Sequence, residues 1–125
     1  IGAFGLAGGG AAGLEVDRAD ATQGTPAHAL VVASSVRHTD IYLMTPEDLL
    51  DPTPEWSGTQ AEIIRADLTF FETEGGGAVF STGSIAWAGS MAWNGYHNEI
   101  AAITANVLRR FNDPVRFEIP VDKQT

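Results

Sequence analysis

The stretch from Gly75 to Phe111, GGGAVFSTGSIAWAGSMAWNGYHNEIAAITANVLRRF, decides how this chain is read. It runs through a glycine turn, a short apolar segment, a loop of small residues holding two tryptophans, and an amphipathic helix. Ile100, Ile103, Val107, Leu108 and Phe111 recur at i, i+3, i+7, i+8 and i+11, which is one face of a helix with about 3.6 residues per turn. That face must pack on something. Glu99, Thr104, Asn106, Arg109 and Arg110 take the other side, with the acid in the first turn and the arginines in the last, as the helix macrodipole favours. Asn94 or Asn98 can cap the start, and Asn112-Asp113-Pro114 ends the helix.

Ahead of the helix, Ala78–Thr82 lies between Gly77 and Gly83 and has the composition of a strand buried on both faces. The loop from Gly83 to Tyr96 is apolar yet rich in glycine and serine. In α/β sheets ligands settle at the carboxyl ends of strands, so this loop is the place to look for a site. Its candidates are Ser84, Trp87, Ser90, Asn94, Tyr96, His97 and Asn98, which could orient a small polar substrate or support the groups that do. The simpler reading is a loop that buries Trp87 and Trp93 in a core or an interface.

Working outward, His28–Ser34 is a continuous apolar run that suits an inner strand, with Ser34, Ser35, Arg37, His38 and Asp40 at its carboxyl end. Ile63–Thr73 reads as a strand that folds back through the glycine turn into the Ala78 strand as a hairpin. Thr45-Pro46-Glu47-Asp48 opens a short helix ending by Asp51-Pro52, and the loop to Gln60 holds Trp56 as an anchor or an exposed contact. Val115–Pro120 alternates apolar and charged residues as an edge strand would. Glu15, Asp17, Arg18 and Asp20 read as a solvated edge or a local arginine–carboxylate pair. Gly8, Gly10 and Gly13 spell G-x-G-x-x-G, but no strand precedes them, no helix follows, and no acid sits where a ribose would need it. A flexible or closely packed backbone segment explains them better.

The totals narrow the function. A chain of 125 residues is one domain, 1–125. Sixteen acids against seven bases give a net charge of −9, which argues against nucleic acid or an anionic membrane as partner. The absence of cysteine excludes disulfides, zinc–thiolate sites and cysteine nucleophiles. No apolar run has the length of a membrane span. The apolar, glycine-rich start at Ile1 predicts a piece of a longer polypeptide. Neither Ser84 in Thr82-Gly83-Ser84-Ile85-Ala86 nor Ser90 in Ala88-Gly89-Ser90-Met91-Ala92 completes a G-x-S-x-G elbow. His97 and Glu99, two apart on a helix, face different ways, and His38 with Asp40 supplies only two ligands from one loop. No metal ligand is assigned.

GGAVFSTGSIAW, then GS, NGY and ITANVLRRFNDP, form a long pattern that extends upstream through Gly8–Gly13, Glu15, Asp17–Asp20, Gly24-Thr25-Pro26, His28-Ala29-Leu30 and Arg65-Ala66-Asp67. It resembles the C-terminal region of the large subunit of the N,N-dimethylformamidase family. The resemblance implies an amide hydrolase of large and small subunits, with a mononuclear iron held by tyrosine and glutamate side chains upstream of this region. It also implies a glutamine amidotransferase-like, flavodoxin-like α/β architecture with a parallel or mixed sheet, and a cytoplasmic location. Without a cysteine the likeness is to that scaffold and not to its chemistry. The expectation is a C-terminal scaffold and assembly domain in an enzyme that hydrolyses a small N-substituted amide, such as dimethylformamide, to amine and formate. It carries no cofactor of its own, and its partners are the rest of the parent chain, a small subunit and further copies. The alternative is a non-enzymatic interaction module on the same scaffold.

Overall fold

Thr73 and Gly77 close a tight turn, with the Gly77 carbonyl accepting from the Thr73 N–H at 2.9 Å and the Thr73 carbonyl from the Gly76 N–H at 2.9 Å. This turn forces the two flanking strands to run antiparallel. A computed structural model of the chain describes residues 2–4, 10–44 and 56–121. Among them the strands are β1 (Leu30–Ser35), β2 (Ala66–Glu72) and β3 (Ala78–Ser81), in spatial order β1-β2-β3, and both pairings are antiparallel. The chain is therefore mixed α/β, but its described strands form an antiparallel sheet where a parallel or mixed one was expected. The hairpin turn dictates that sense for β2 and β3.

The register sorts side chains onto two faces. Ala66, Leu68 and Phe70 of β2 stand beside Ser35, Ala33 and Leu30 of β1, while Asp67 and Thr69 stand beside Ser34 and Val31. A register shift between Val31 and Ala33 leaves Val32 as a bulge. The Leu68 face carries the core: Ala11, Leu68, Trp87 and Ile100 are buried together, with Phe4, Ala33, Phe80, Met91 and Ile103 packed around them. Helix α1 (Ala86–Ser90) and helix α2 (Glu99–Phe111) supply Trp87 and Ile100 to this cluster.

Helix α2 follows the sequence closely. Asn98, not Asn94, is its cap, accepting from the Ala101 N–H at 2.9 Å, and Asn112 closes its other end. Ile100 is fully buried and Ile103 and Val107 partly so, yet Leu108 stays 62% exposed.

Several expectations change. Among the described residues the apolar run at His28–Ser34 forms an edge strand instead of an inner one, and Leu30, Val31 and Val32 are 60%, 51% and 57% exposed. β3 is covered on one face only, because Phe80 turns to the core and Val79 and Ser81 turn outward. The β2 strand starts at Ala66, since the Ile64 N–H is spent on a turn to the Ala61 carbonyl. The supposed loop after Gly83 contains α1. Val115–Pro120 forms no strand: the Phe117 N–H bonds the Gly76 carbonyl, the ring packs between Phe70 and Phe111, and the Arg110 guanidinium lies 3.7 Å from its centroid. Aromatic packing fixes that segment where a ladder was expected. The Thr45–Asp51 helix and the Pro52–Pro54 turn fall outside the described residues.

Candidate functional site

The polar centre of the domain is Asp67, whose side chain is fully buried on the face away from the helices. A buried carboxylate persists only if its oxygens are satisfied. Here they receive the Ser34 hydroxyl at 2.6 Å, the Ala19 N–H at 2.9 Å, and the Arg65 Nε–H at 2.9 and 3.1 Å. The Asp67 backbone joins the same arrangement, its N–H donating to the Asp17 carbonyl at 2.9 Å, while the Asp17 N–H donates to the Gly83 carbonyl. One side chain thus ties β1, β2, the Asp17–Ala19 segment and the start of the β3–α1 loop together. Asp67 stands in the sequence only as part of the Arg65-Ala66-Asp67 pattern, with no role assigned to it. Its one sign is an acid inside an apolar strand, on the face that alternation with Ala66, Leu68 and Phe70 turns away from the core.

Gly83 sits at this crossing with φ of +59°, and a Cβ there would lie 2.6 Å from the Asp67 carbonyl oxygen and 2.7 Å from that of Asp17. Only glycine fits. Ser84 follows as a clip: its Oγ accepts from the Gly13 N–H at 2.7 Å and from the Ala86 N–H at 3.2 Å, and donates to the Gly13 carbonyl at 2.9 Å. Gly13, the last glycine of the G-x-G-x-x-G string, is therefore held against this loop.

The remaining candidates divide into two groups. Trp87 is buried and its indole N–H donates to the Thr104 hydroxyl at 3.0 Å. Ser90, also buried, donates to the carbonyls of Phe4 and Ala86, both at 3.1 Å. Asn98 caps α2 through Oδ1, and its Nδ2 reaches the carbonyls of Met91 and Trp93. Asn94, Tyr96 and His97, by contrast, are exposed on a turn in which Asn94, Gly95 and Tyr96 all have positive φ, at 51°, 60° and 68°. Asn94 Nδ2 donates to the His97 carbonyl, and the His97 ring contacts the Gly95 carbonyl. Trp93 on the same turn stacks on Phe4 at 5.9 Å but remains 54% exposed. The structure thus brings Ser84, Trp87 and Ser90 into the domain's interior wall and leaves Asn94, Tyr96 and His97 on its rim.

A cavity of about 280 Å³ opens between these layers, bounded by Ala33, Ser34 and Ser35 of β1, Leu68, Trp87 and Ile100. Its lining residues are small and mostly apolar, and its polar side-chain groups are the hydroxyls of Ser34, Ser35 and Thr82 and the Trp87 indole, whose N–H is spent on Thr104. Among the described residues its lining includes no acid–base pair.

The titratable residues elsewhere serve local order. Asp20 caps the short turn at Ala21–Gln23, and the Thr22 hydroxyl, the Arg18 guanidinium at 2.6 Å and the Thr22 N–H hold its carboxyl down at about 2. This is the expected arginine–carboxylate pair. Asp40 is lowered by the hydroxyls of Ser57 and Thr59, and Glu99 by its own N–H and that of Gly2. His38 is buried with its ring on the Ser35 carbonyl, apart from the Asp40 bonds, so the two do not act as a pair. Among the described residues no three His, Asp or Glu side chains converge, and the donors present do not fit an iron centre.

Comparison with known proteins places this arrangement. The family described as N,N-dimethylformamidase beta subunit-like, C-terminal, matches residues 1–98. The N,N-dimethylformamidase beta subunit of Paracoccus aminophilus is 48% identical over 111 residues, covering 89% of this chain and 15% of that protein. The N,N-dimethylformamidase beta subunit of an Alcaligenes species is 47% identical over the same length, again 15% of its own chain. The chain spans about 15% of the length of these curated relatives. On the strength of that match across most of its residues, the chain belongs to the N,N-dimethylformamidase beta subunit-like C-terminal family.

Proposed function

We propose that this chain is the C-terminal scaffold and assembly domain of a dimethylformamidase-like amide hydrolase, acting on a small N-substituted amide to give amine and formate. The observation that carries the reading is the use made of its polar side chains. Ser84, Trp87, Ser90 and Asn98 hold the domain's own backbone together, and Asp67 is committed to four donor contacts. Groups so engaged shape a wall; they are not free to move a proton. In this reading the iron that the family resemblance implies is held by other parts of a longer subunit, and this domain supports that site at a distance. Asn94, Tyr96 and His97, exposed on a strained turn, are the residues offered to a neighbouring part of the subunit or to a small subunit. The three antiparallel strands are one portion of a larger amidotransferase-like sheet. The enzyme works in the cytoplasm, as a hetero-oligomer.

The test is Ser84→Ala and Trp87→Phe in a full-length subunit that carries this sequence. Each removes hydrogen bonds from the wall, so thermal inactivation accelerates while kcat/KM for dimethylformamide stays within about threefold. A loss of roughly 100-fold in kcat with unchanged thermal stability would place these residues in the chemistry and end the scaffold reading.

A further inference from the structure

We propose that the free edge of β1 is a strand-addition site, and that its occupant is an apolar β-strand supplied in cis by the remainder of a full-length beta subunit. The proposal rests on the reading of this chain as one domain of such a subunit. β1 pairs only with β2 among the described residues, so its second row of backbone N–H and C=O groups faces outward. Solvent-facing edges are normally blunted by lysine, proline or shortness. From Ala27 to Val36 there is no charged residue other than the titratable His28 and no proline, and Leu30, Val31 and Val32 are each more than half exposed. Such a sequence is that of a strand covered on both sides.

The opposite edge behaves differently. β3 has four residues, and beside it the hairpin tip is held by the Arg116 guanidinium on the Gly75 carbonyl and the Phe117 N–H on the Gly76 carbonyl. β3 is also an edge among the described residues, but it is shorter and exposes one large apolar side chain, Val79, against three on β1. Ala33, Ser34 and Ser35 of β1 also bound the 280 Å³ cavity, so a strand laid along this edge covers the cavity's margin. The matched region is 15% of the relatives' length, which leaves ample chain to supply that strand. A second copy is the less suitable occupant. Two β1 strands meeting edge to edge would pair the apolar Leu30–Val32 half of each with the polar Ser34-Ser35 half of the other, if centred antiparallel.

The experiment is hydrogen–deuterium exchange on a full-length subunit, following the peptide Ala27–Val36, with Val31→Lys as a second measurement. The proposal expects amides along the whole of β1 to be protected at least roughly 100-fold over free-peptide rates, at every protein concentration. It expects Val31→Lys to lower the melting temperature by several degrees, although the side chain is half exposed in this domain. Exchange of the outward-facing half of the amides within about tenfold of peptide rates, with Val31→Lys silent, would overturn it. Protection that disappears on dilution together with a dimer would also overturn it, assigning the edge to a second copy. If Val31→Lys does not fold, the exchange of the unaltered protein decides. Amide hydrolysis is not read in this test, so its outcome stands apart from that of the enzymatic reading.

Discussion

Replacing Asp67 by asparagine preserves the shape of the side chain and removes what the fold asks of it. The carboxylate accepts from Ser34 Oγ, the Ala19 N–H and the Arg65 Nε–H at 2.6 to 3.1 Å, and its side chain is fully buried. In Asp67→Asn one oxygen survives and can keep the Ser34 contact, but the new amide NH₂ then faces two donors. A lost hydrogen bond to a charged group costs about 1.5–3 kcal/mol, and a buried donor left without an acceptor about 1–3 kcal/mol more. The sum, about 2.5–6 kcal/mol, brackets the penalty of about 3–5 kcal/mol for removing one partner of a buried ion pair. That is a large share of the roughly 5–15 kcal/mol typical of a domain. Ser34→Ala, which takes away one donor and leaves the carboxylate with the others, costs about 1–2 kcal/mol. Urea unfolding followed by tryptophan fluorescence reports both, because Trp87 is buried in the same domain. A loss below about 1 kcal/mol for Asp67→Asn, with an unchanged denaturant slope, would show that Asp67 does not organise these segments.

Three further outcomes follow from single positions. Gly83→Ala should unfold or severely destabilise the domain, by about 3 kcal/mol or more, because its Cβ would lie within 3 Å of three backbone atoms. Gly24→Ala, also at positive φ but with nothing within 4 Å, should cost only about 1–2 kcal/mol; equal losses in thermal melts of the two variants would refute the steric argument. Ile100→Ala should cost about 2–5 kcal/mol and Leu108→Ala less than about 1 kcal/mol, since the first is wholly buried and the second 62% exposed; comparable midpoints in urea would contradict this placement of the helix. Asp20 ionises at about 2 instead of 3.8, so its stabilisation of the Ala21–Gln23 turn is complete above pH 3.8 and disappears as pH falls through about 2. The Thr22 amide resonance should titrate with a midpoint near 2, and a midpoint at the ordinary value would remove the capping bonds from the account.

The legible parts of the sequence were those governed by local chemistry. The α2 face at Ile100, Ile103 and Val107, the Asn98 cap, the arginines in its last turn and the glycine hairpin were all readable, because periodicity, capping and turn residues act within a few positions. The Arg18–Asp20 pair belongs with them. What the sequence hid depends on distant partners. Leu30-Val31-Val32 has the composition of an inner strand, and nothing local reveals that the described residues leave one side of it open. Phe117 follows two other phenylalanines instead of a ladder, a choice made by packing across the fold. Asp67 was missed for a related reason: a lone acid in an apolar strand reads as a solvent-facing position until its donors, at Ala19 and Ser34, come into view.

Among the candidate residues, the sequence located the right loop and could not apportion its roles. Small residues such as Ser84 and Ser90 suit both a ligand-binding turn and close backbone packing, and their hydrogen bonds to Gly13 and Phe4 span most of the chain. The run of positive φ from Asn94 to Tyr96 was signalled locally by the Asn94-Gly95 pair, which takes this conformation readily, and not by Tyr96, which seldom does.

The proposed role of this domain is to support an amide hydrolase without performing the hydrolysis. The direct measurement is iron content together with formate release from dimethylformamide, made side by side on a full-length subunit carrying this sequence and on the chain of residues 1–125. Iron and formate from the full-length subunit, with neither from the shorter chain, is the predicted result. Stoichiometric iron or formate release from residues 1–125 alone would contradict it, and would return His38, Asp40, His97 and Glu99 to consideration as ligands.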